Sequence, residues 1–212
     1  MNKVLFTCLI VFQATPLLSQ FANGADQKKY SYGFSLGLNY SNILYEEQPS
    51  YFNSNVERIN SLGFRIGILS DFKISNIISI APKAELSFNG GQVSIEHIHN
   101  GQVVNTSVYD IMPISAEIMT HVVFKKGDKQ WNPYFFVGPN VRLPLYQYNS
   151  NVFIRNNTDV AIDFGIGAQR TFTQFHFLPE LRYTFGLLDL NPDPRLESVN
   201  FHNVSLIFSI MG

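Results

Sequence analysis

Between Ser31 and Ser41 the chain alternates without a break. Tyr32, Phe34, Leu36, Leu38 and Tyr40 take one parity; Ser31, Gly33, Ser35, Gly37, Asn39 and Ser41 take the other. A repeat of two is the repeat of a β-strand, whose successive side chains point to opposite faces. One face here is bulky and apolar with an aromatic residue at each end, while the other is small and polar. That is the pattern of a strand whose large face meets lipid, with aromatic side chains at the two interfaces.

Seven further segments repeat it. Leu62, Phe64, Ile66 and Ile68 oppose Gly63, Arg65 and Gly67. Ile78, Ile80, Pro82, Ala84, Leu86 and Phe88 oppose Ser79, Lys83, Glu85 and Ser87. Met112, Ile114, Ala116, Ile118 and Val122 oppose Ser115, Glu117 and His121. Phe135, Val137, Val141 and Leu143 oppose Tyr134, Gly138, Asn140 and Arg142. Val160, Ile162, Phe164, Ile166 and Ala168 oppose Asp163, Gly165, Gly167 and Gln169. Phe175, Phe177, Leu181, Tyr183 and Phe185 oppose His176, Glu180, Arg182 and Gly186. From about His202 to Ile210, Val204, Leu206, Phe208 and Ile210 oppose Asn203, Ser205 and Ser209.

Segments of about ten residues suit a tilted membrane strand. The connections near 42–58, 89–108, 146–158 and 187–200 are long and rich in Asn, Ser, Pro and charge; those near 70–76, 125–131 and 170–174 are short. The expected fold is therefore all-β, an eight-stranded antiparallel up-and-down transmembrane barrel in the outer membrane, with both termini on the short-turn, periplasmic side. A soluble lipocalin-like barrel or β-sandwich also shows this period, but would turn its apolar rows inward. Composition separates the two. Charged residues are only 15% and hydrophobic residues 45%, against roughly 25% charge in soluble domains. Such a chain is not disordered, and a net charge of −1 argues against a nucleic-acid partner.

Met1-Asn2-Lys3, the apolar run Val4–Phe12, Pro16 and the exit near Ser19-Gln20 describe a signal peptide, 1–19, ahead of a single barrel domain, 20–212. The one cysteine, Cys8, falls inside it, so the exported chain is expected to lack disulfides and thiolate sites. This suits a bacterial envelope.

The polar parity carries Arg65, Lys83, Glu85, Glu117, Arg142, Asp163, Glu180 and Arg182, both signs together. Eight strands leave an interior about wide enough for side chains to fill, so these eight are expected to form a structural salt-bridge network in the lumen. No catalytic, cofactor or metal site is expected. Gly33-Phe34-Ser35-Leu36-Gly37 has the spacing of a hydrolase nucleophile elbow, but that serine needs a strand-to-helix turn. His97 and His99 could share one face of a strand, yet no further ligands complete a zinc set, and a solvated loop is expected. His121, His176 and His202 fall near strand ends, and Gly165-Ile166-Gly167 is no phosphate loop.

Taken together, these residues resemble the outer-membrane β-barrel proteins of Bacteroidota, and more narrowly the PorT family. Trp131-Asn132-Pro133-Tyr134-Phe135-Phe136-Val137-Gly138-Pro139-Asn140-Val141 is similar to that family's fifth strand. Asp163-Phe164-Gly165-Ile166-Gly167 and Phe177-Leu178-Pro179-Glu180-Leu181-Arg182-Tyr183-Thr184-Phe185-Gly186-Leu187 resemble its sixth and seventh. The Tyr51-Phe52-Asn53 loop and the strand from Gly63-Phe64 to Asp71 are similar too. The resemblance implies a non-enzymatic accessory of type IX secretion and envelope assembly, with outer-membrane lipid and secretion-system proteins as partners. The alternatives are a generic OmpA- or OmpX-like small barrel, adhesin or narrow channel, and an outer-membrane lipid or peptide hydrolase with a Ser-His or Asp-His pair at its rim.

Overall fold

A computed structural model describes residues 30–47, 54–99, 102–126, 131–145, 158–190 and 196–212. The expected signal peptide, the Tyr51-Phe52-Asn53 loop and most of the 146–158 connection lie outside the described residues. The strands in order are β1 (Tyr30–Glu47), β2 (Ser54–Ile59), β3 (Leu62–Lys73), β4 (Ile78–Phe88), β5 (Gln92–His99) and β6 (Gln102–Asp110). They continue with β7 (Ile114–Lys125), β8 (Trp131–Pro144), β9 (Asp159–Thr171), β10 (His176–Gly186) and β11 (Leu196–Met211).

Eight of them close a barrel in the order β1-β11-β10-β9-β8-β7-β4-β3. Each barrel strand pairs antiparallel with its neighbours, the up-and-down topology that alternation alone had suggested. Among the described residues no helix is long and apolar enough to cross a membrane. The barrel is inverted relative to a soluble protein: Leu38 is 58% and Ile68 67% exposed, while Arg142 and Arg182 are 0%. Exposed aromatics include Tyr30, Phe72, Trp131 and Phe172 towards the short-turn end and Tyr40, Phe64 and Phe185 towards the other.

Three ladders are interrupted, and each gap contains a proline: Pro82 between β3 and β4, Pro139 between β7 and β8, Pro179 between β9 and β10. Proline has no N–H to donate, so pairing lapses there and resumes beyond.

The connections depart from expectation. The 42–58 and 89–108 regions are largely strand, not polar loop. β1 is 18 residues long. It pairs with β3 only to Tyr40, but follows β11 to Glu47, so a two-stranded ribbon rises above the wall. Beside it β2, β5 and β6 form a separate three-stranded sheet. His97 and His99 lie in β5, not in a loop. The turn expected over 70–76 is shorter, since β3 runs to Lys73 and β4 begins at Ile78.

Ile43, Val56, Val93, Ile95, Ile111, Met112, Leu190, Val199 and Phe201 pack between the ribbon and this sheet in one buried cluster. The hydroxyl of Tyr45 donates to the Val56 carbonyl at 2.8 Å. Met112, expected on the outward row of a strand, belongs to this cluster. It stands before β7 with φ 50°, a left-handed turn that costs a side-chain-bearing residue roughly 1–2 kcal/mol and that packing holds in place. The Asn89 amide donates to its carbonyl at 3.0 Å. This cap covers the barrel at the end where the long connections lie.

Candidate functional site

On each strand the inward parity decides what fills the lumen, and five layers result. At the short-turn mouth Lys125 pairs with Asp71 at 2.5 Å. Above it Leu69, Ala81, Val123, Tyr134, Phe136, Leu178 and Met211 form an apolar layer. The charged centre follows, then a layer of Asn and Ser, then the cap.

In the centre, Arg65 donates through Nη1 to Glu85 Oε2 at 2.9 Å and to Glu117 Oε2 at 3.3 Å. Arg182 reaches the same Glu85 oxygen at 2.5 Å and stands 3.8 Å from Asp163. Glu85 and Glu117 face each other directly across the β4–β7 ladder. Two carboxylates so placed repel unless cations intervene, and Arg65 is the cation between them. Lys83 crosses to Glu180 at 2.7 Å, where the Tyr134 hydroxyl also donates at 2.9 Å. The Lys83 ammonium lies 5.3 Å from the Phe136 ring.

Arg142 is opposite both Glu117 and Asp159 in register, and it pairs with Asp159. It also donates to the Phe201 carbonyl at 2.8 Å and stacks 5.2 Å from that ring, tying the lumen to the cap. The Asn–Ser layer is continuous: Asn39 donates to Asn89 at 2.5 Å, and Asn203 to the same Asn89 oxygen at 3.3 Å.

All eight charges singled out in the sequence thus lie inside the barrel and reach an oppositely charged partner. Missing from that set were Asp159, His121, Asn140 and Tyr134, all on the inward parity and all buried. Parity alone could have found them. Asn140 donates to both Glu117, at 3.1 Å, and Asp163, at 3.2 Å.

His121 is not near a strand end: it sits well inside β7, with Nε2 3.0 Å from Asp163 and its ring stacked on Phe136 at 4.7 Å. An Asp–His pair therefore exists, but both side chains are 0% exposed, away from any rim. Ser35 is a buried residue in the middle of β1, with no nucleophile elbow around it. His176 lies at the start of β10 beside Gln169 and Thr171, and His202 meets the Tyr183 hydroxyl at 3.2 Å. The side chains of His97 and His99 lie outside the described residues. Among the described residues no group of three or more His, Cys, Asp or Glu could hold a metal.

The glycines of the GxG segment have a packing role. Tyr134 pairs with Gly167 and Phe136 with Gly165; a Cβ on Gly167 would lie 2.5 Å from the Tyr134 ring, and one on Gly165 2.6 Å from Phe136. Both aromatic rings fill the lumen only because the facing strand carries none of its own. The Cβ of Gly165→Ala would also stand 2.3 Å from the Leu181 carbonyl oxygen, which is backbone and cannot step aside. This substitution is expected to destabilise the barrel by about 1–3 kcal/mol. A urea midpoint equal to the parent's would refute the packing role.

Comparison with known proteins follows the same lines. Residues 19–191 match the family described as outer membrane protein beta-barrel domain. No curated protein matches the chain. Among solved structures, it is similar to the outer membrane protein OprG from Pseudomonas aeruginosa (TM-score 0.48, 9% identity, 86% of this chain and 92% of that one). It is also similar to Neisserial surface protein A (0.45, 11%, 84% and 96%) and to Ail, the attachment invasion locus protein of Yersinia pestis (0.44, 10%, 87% and 100%).

Proposed function

Because the chain belongs to the outer membrane protein beta-barrel domain family, and so to the bacterial outer membrane, we propose that it is a closed, non-enzymatic structural barrel whose extracellular cap is offered to partners. One observation carries this reading: the paired charges of the lumen lie between two apolar clusters, one at each mouth. An ion crossing would have to break buried pairs and pass both clusters. The ribbon and three-stranded sheet project where an envelope or surface protein can meet them. Reconstituted into planar bilayers, the protein should show no stable conductance steps. Steady open-channel current would sink the closed-barrel reading and favour a narrow channel.

A narrower reading makes it a PorT-like accessory of type IX secretion. It rests on the resemblance of the β8, β9 and β10 segments. Several motif residues there, Tyr134, Gly165, Gly167, Glu180 and Arg182, also have packing roles in the lumen, so they speak for the barrel more than for the pathway. A deletion mutant that still exports type IX cargo normally would leave the generic small barrel.

A further inference from the structure

We propose that a groove on the outer wall near the periplasmic rim seats an acyl chain of an anionic phospholipid of the periplasmic leaflet, with Lys126 and Arg170 taking its phosphate. The groove holds about 620 Å³, and its apolar lining includes Ile77, Phe124, Pro133, Phe135, Ile166 and Gly167. Pro133 leaves room there on the outward face, while the rings of Phe124 and Phe135 stack at 4.7 Å to make one wall. Lipid touches every outward row of a barrel; this place adds two positive charges at headgroup depth.

Lys126 follows Phe124 on the outward parity. Its backbone N–H donates to the Pro133 carbonyl at 3.2 Å, and its side chain is exposed. Arg170 lies across from Trp131 in the β8–β9 register. Its guanidinium stacks 5.2 Å from the Trp131 ring and 5.1 Å from Phe172. Neither cation has a carboxylate partner among the described residues, in contrast to Lys125, which Asp71 neutralises. They flank the first residues of β8 from β7 and β9, roughly 10 Å apart at the backbone, within reach of one phosphate. The opposite rim differs in sign: the exposed Glu46, Glu57 and Glu197 stand there against Arg58. Cations at a membrane interface select anionic lipid, and the groove beside them takes the chain such a lipid carries.

Trp131 is the chain's single tryptophan and lies two residues from Pro133, so its fluorescence reports the site. The full chain would be refolded into bilayers of phosphatidylcholine and phosphatidylglycerol, with one or the other lipid brominated on its acyl chains. Phosphatidylglycerol should compete for the quenching position roughly fivefold better for each cation engaged. Lys126→Gln should lose most of that preference while leaving quenching by phosphatidylcholine unchanged; Arg170 stays in place because it touches the reporter. Soluble glycerol phosphate should not relieve the preference. Equal quenching by the two lipids, a preference undiminished by Lys126→Gln, or displacement by glycerol phosphate alone would each overturn the proposal.

Discussion

Replacing Arg182 with methionine is expected to cost about 3–5 kcal/mol of barrel stability, the usual penalty for leaving a buried charge without its partner. Arg182 is fully buried and serves both Glu85 and Asp163. Methionine keeps much of its length but none of its charge. Glu85 would retain Arg65, and Asp163 would retain His121 and Asn140. Even so, the lumen would hold three cations, Arg65, Lys83 and Arg142, against the carboxylates of Glu85, Glu117, Asp159, Asp163 and Glu180. Adding Glu85→Gln to Arg182→Met removes one of the surplus negative charges and should recover part of the loss. Glu180→Gln, which strands Lys83, should behave like the single arginine variant. Glu57→Gln, on an exposed side chain, should leave the transition where it is. Urea midpoints followed by Trp131 fluorescence decide it: if Arg182→Met and Glu57→Gln unfold together, the lumenal network does not hold the barrel.

Phe201→Ala is expected to act on the cap and spare the barrel. Phe201 is completely buried at the centre of the extracellular cluster, and truncating such a ring typically costs about 3–5 kcal/mol. Its removal also takes away the face on which Arg142 stacks. The cluster is separated from the apolar layer near the periplasmic mouth by the whole charged centre, so the loss should stay local. Limited proteolysis should then cut β5 and β6 faster than in the parent, while the barrel survives and the Trp131 transition moves little. A cap that stays resistant would show that Phe201 does not organise it. Barrel and cap unfolding together would show that they form one cooperative unit.

Much of this architecture can be read along the chain, because parity is local. Each residue's own backbone sends its side chain to one face, and a narrow barrel needs small or polar groups on the other. Ser35, Gly37 and Asn39 therefore announce the lumen, and Leu36 and Leu38 announce the lipid. The cap was harder to see. On β1 the inward parity passes from Asn39 and Ser41 to Ile43 and Tyr45, and on β11 from Asn203 to Phe201 and Val199. The lumenal face becomes an apolar face at the rim. That switch is present in the sequence, but the surrounding Asn, Ser, Pro and Glu have the composition of loops. β2 is only six residues long, too short for its alternation to stand out.

Which charges lie inside was a matter of sequence; which charges meet was not. Lys83 and Glu180 are 97 residues apart, as are Glu85 and Arg182. Their contact depends on how far the sheet curls and on the stagger with which β1 closes onto β11, quantities summed over every strand. Arg142 shows the difference at one residue: register offers it both Glu117 and Asp159 as neighbours, and the closed barrel gives it to Asp159, leaving Glu117 to Arg65 and Asn140. The sequence by itself determined the strands, their two faces and the membrane they suit, because alternation needs nothing beyond neighbouring residues. Only the tertiary structure decided the ion pairs, the two apolar clusters and the cap, because each joins side chains that meet only after the barrel has closed.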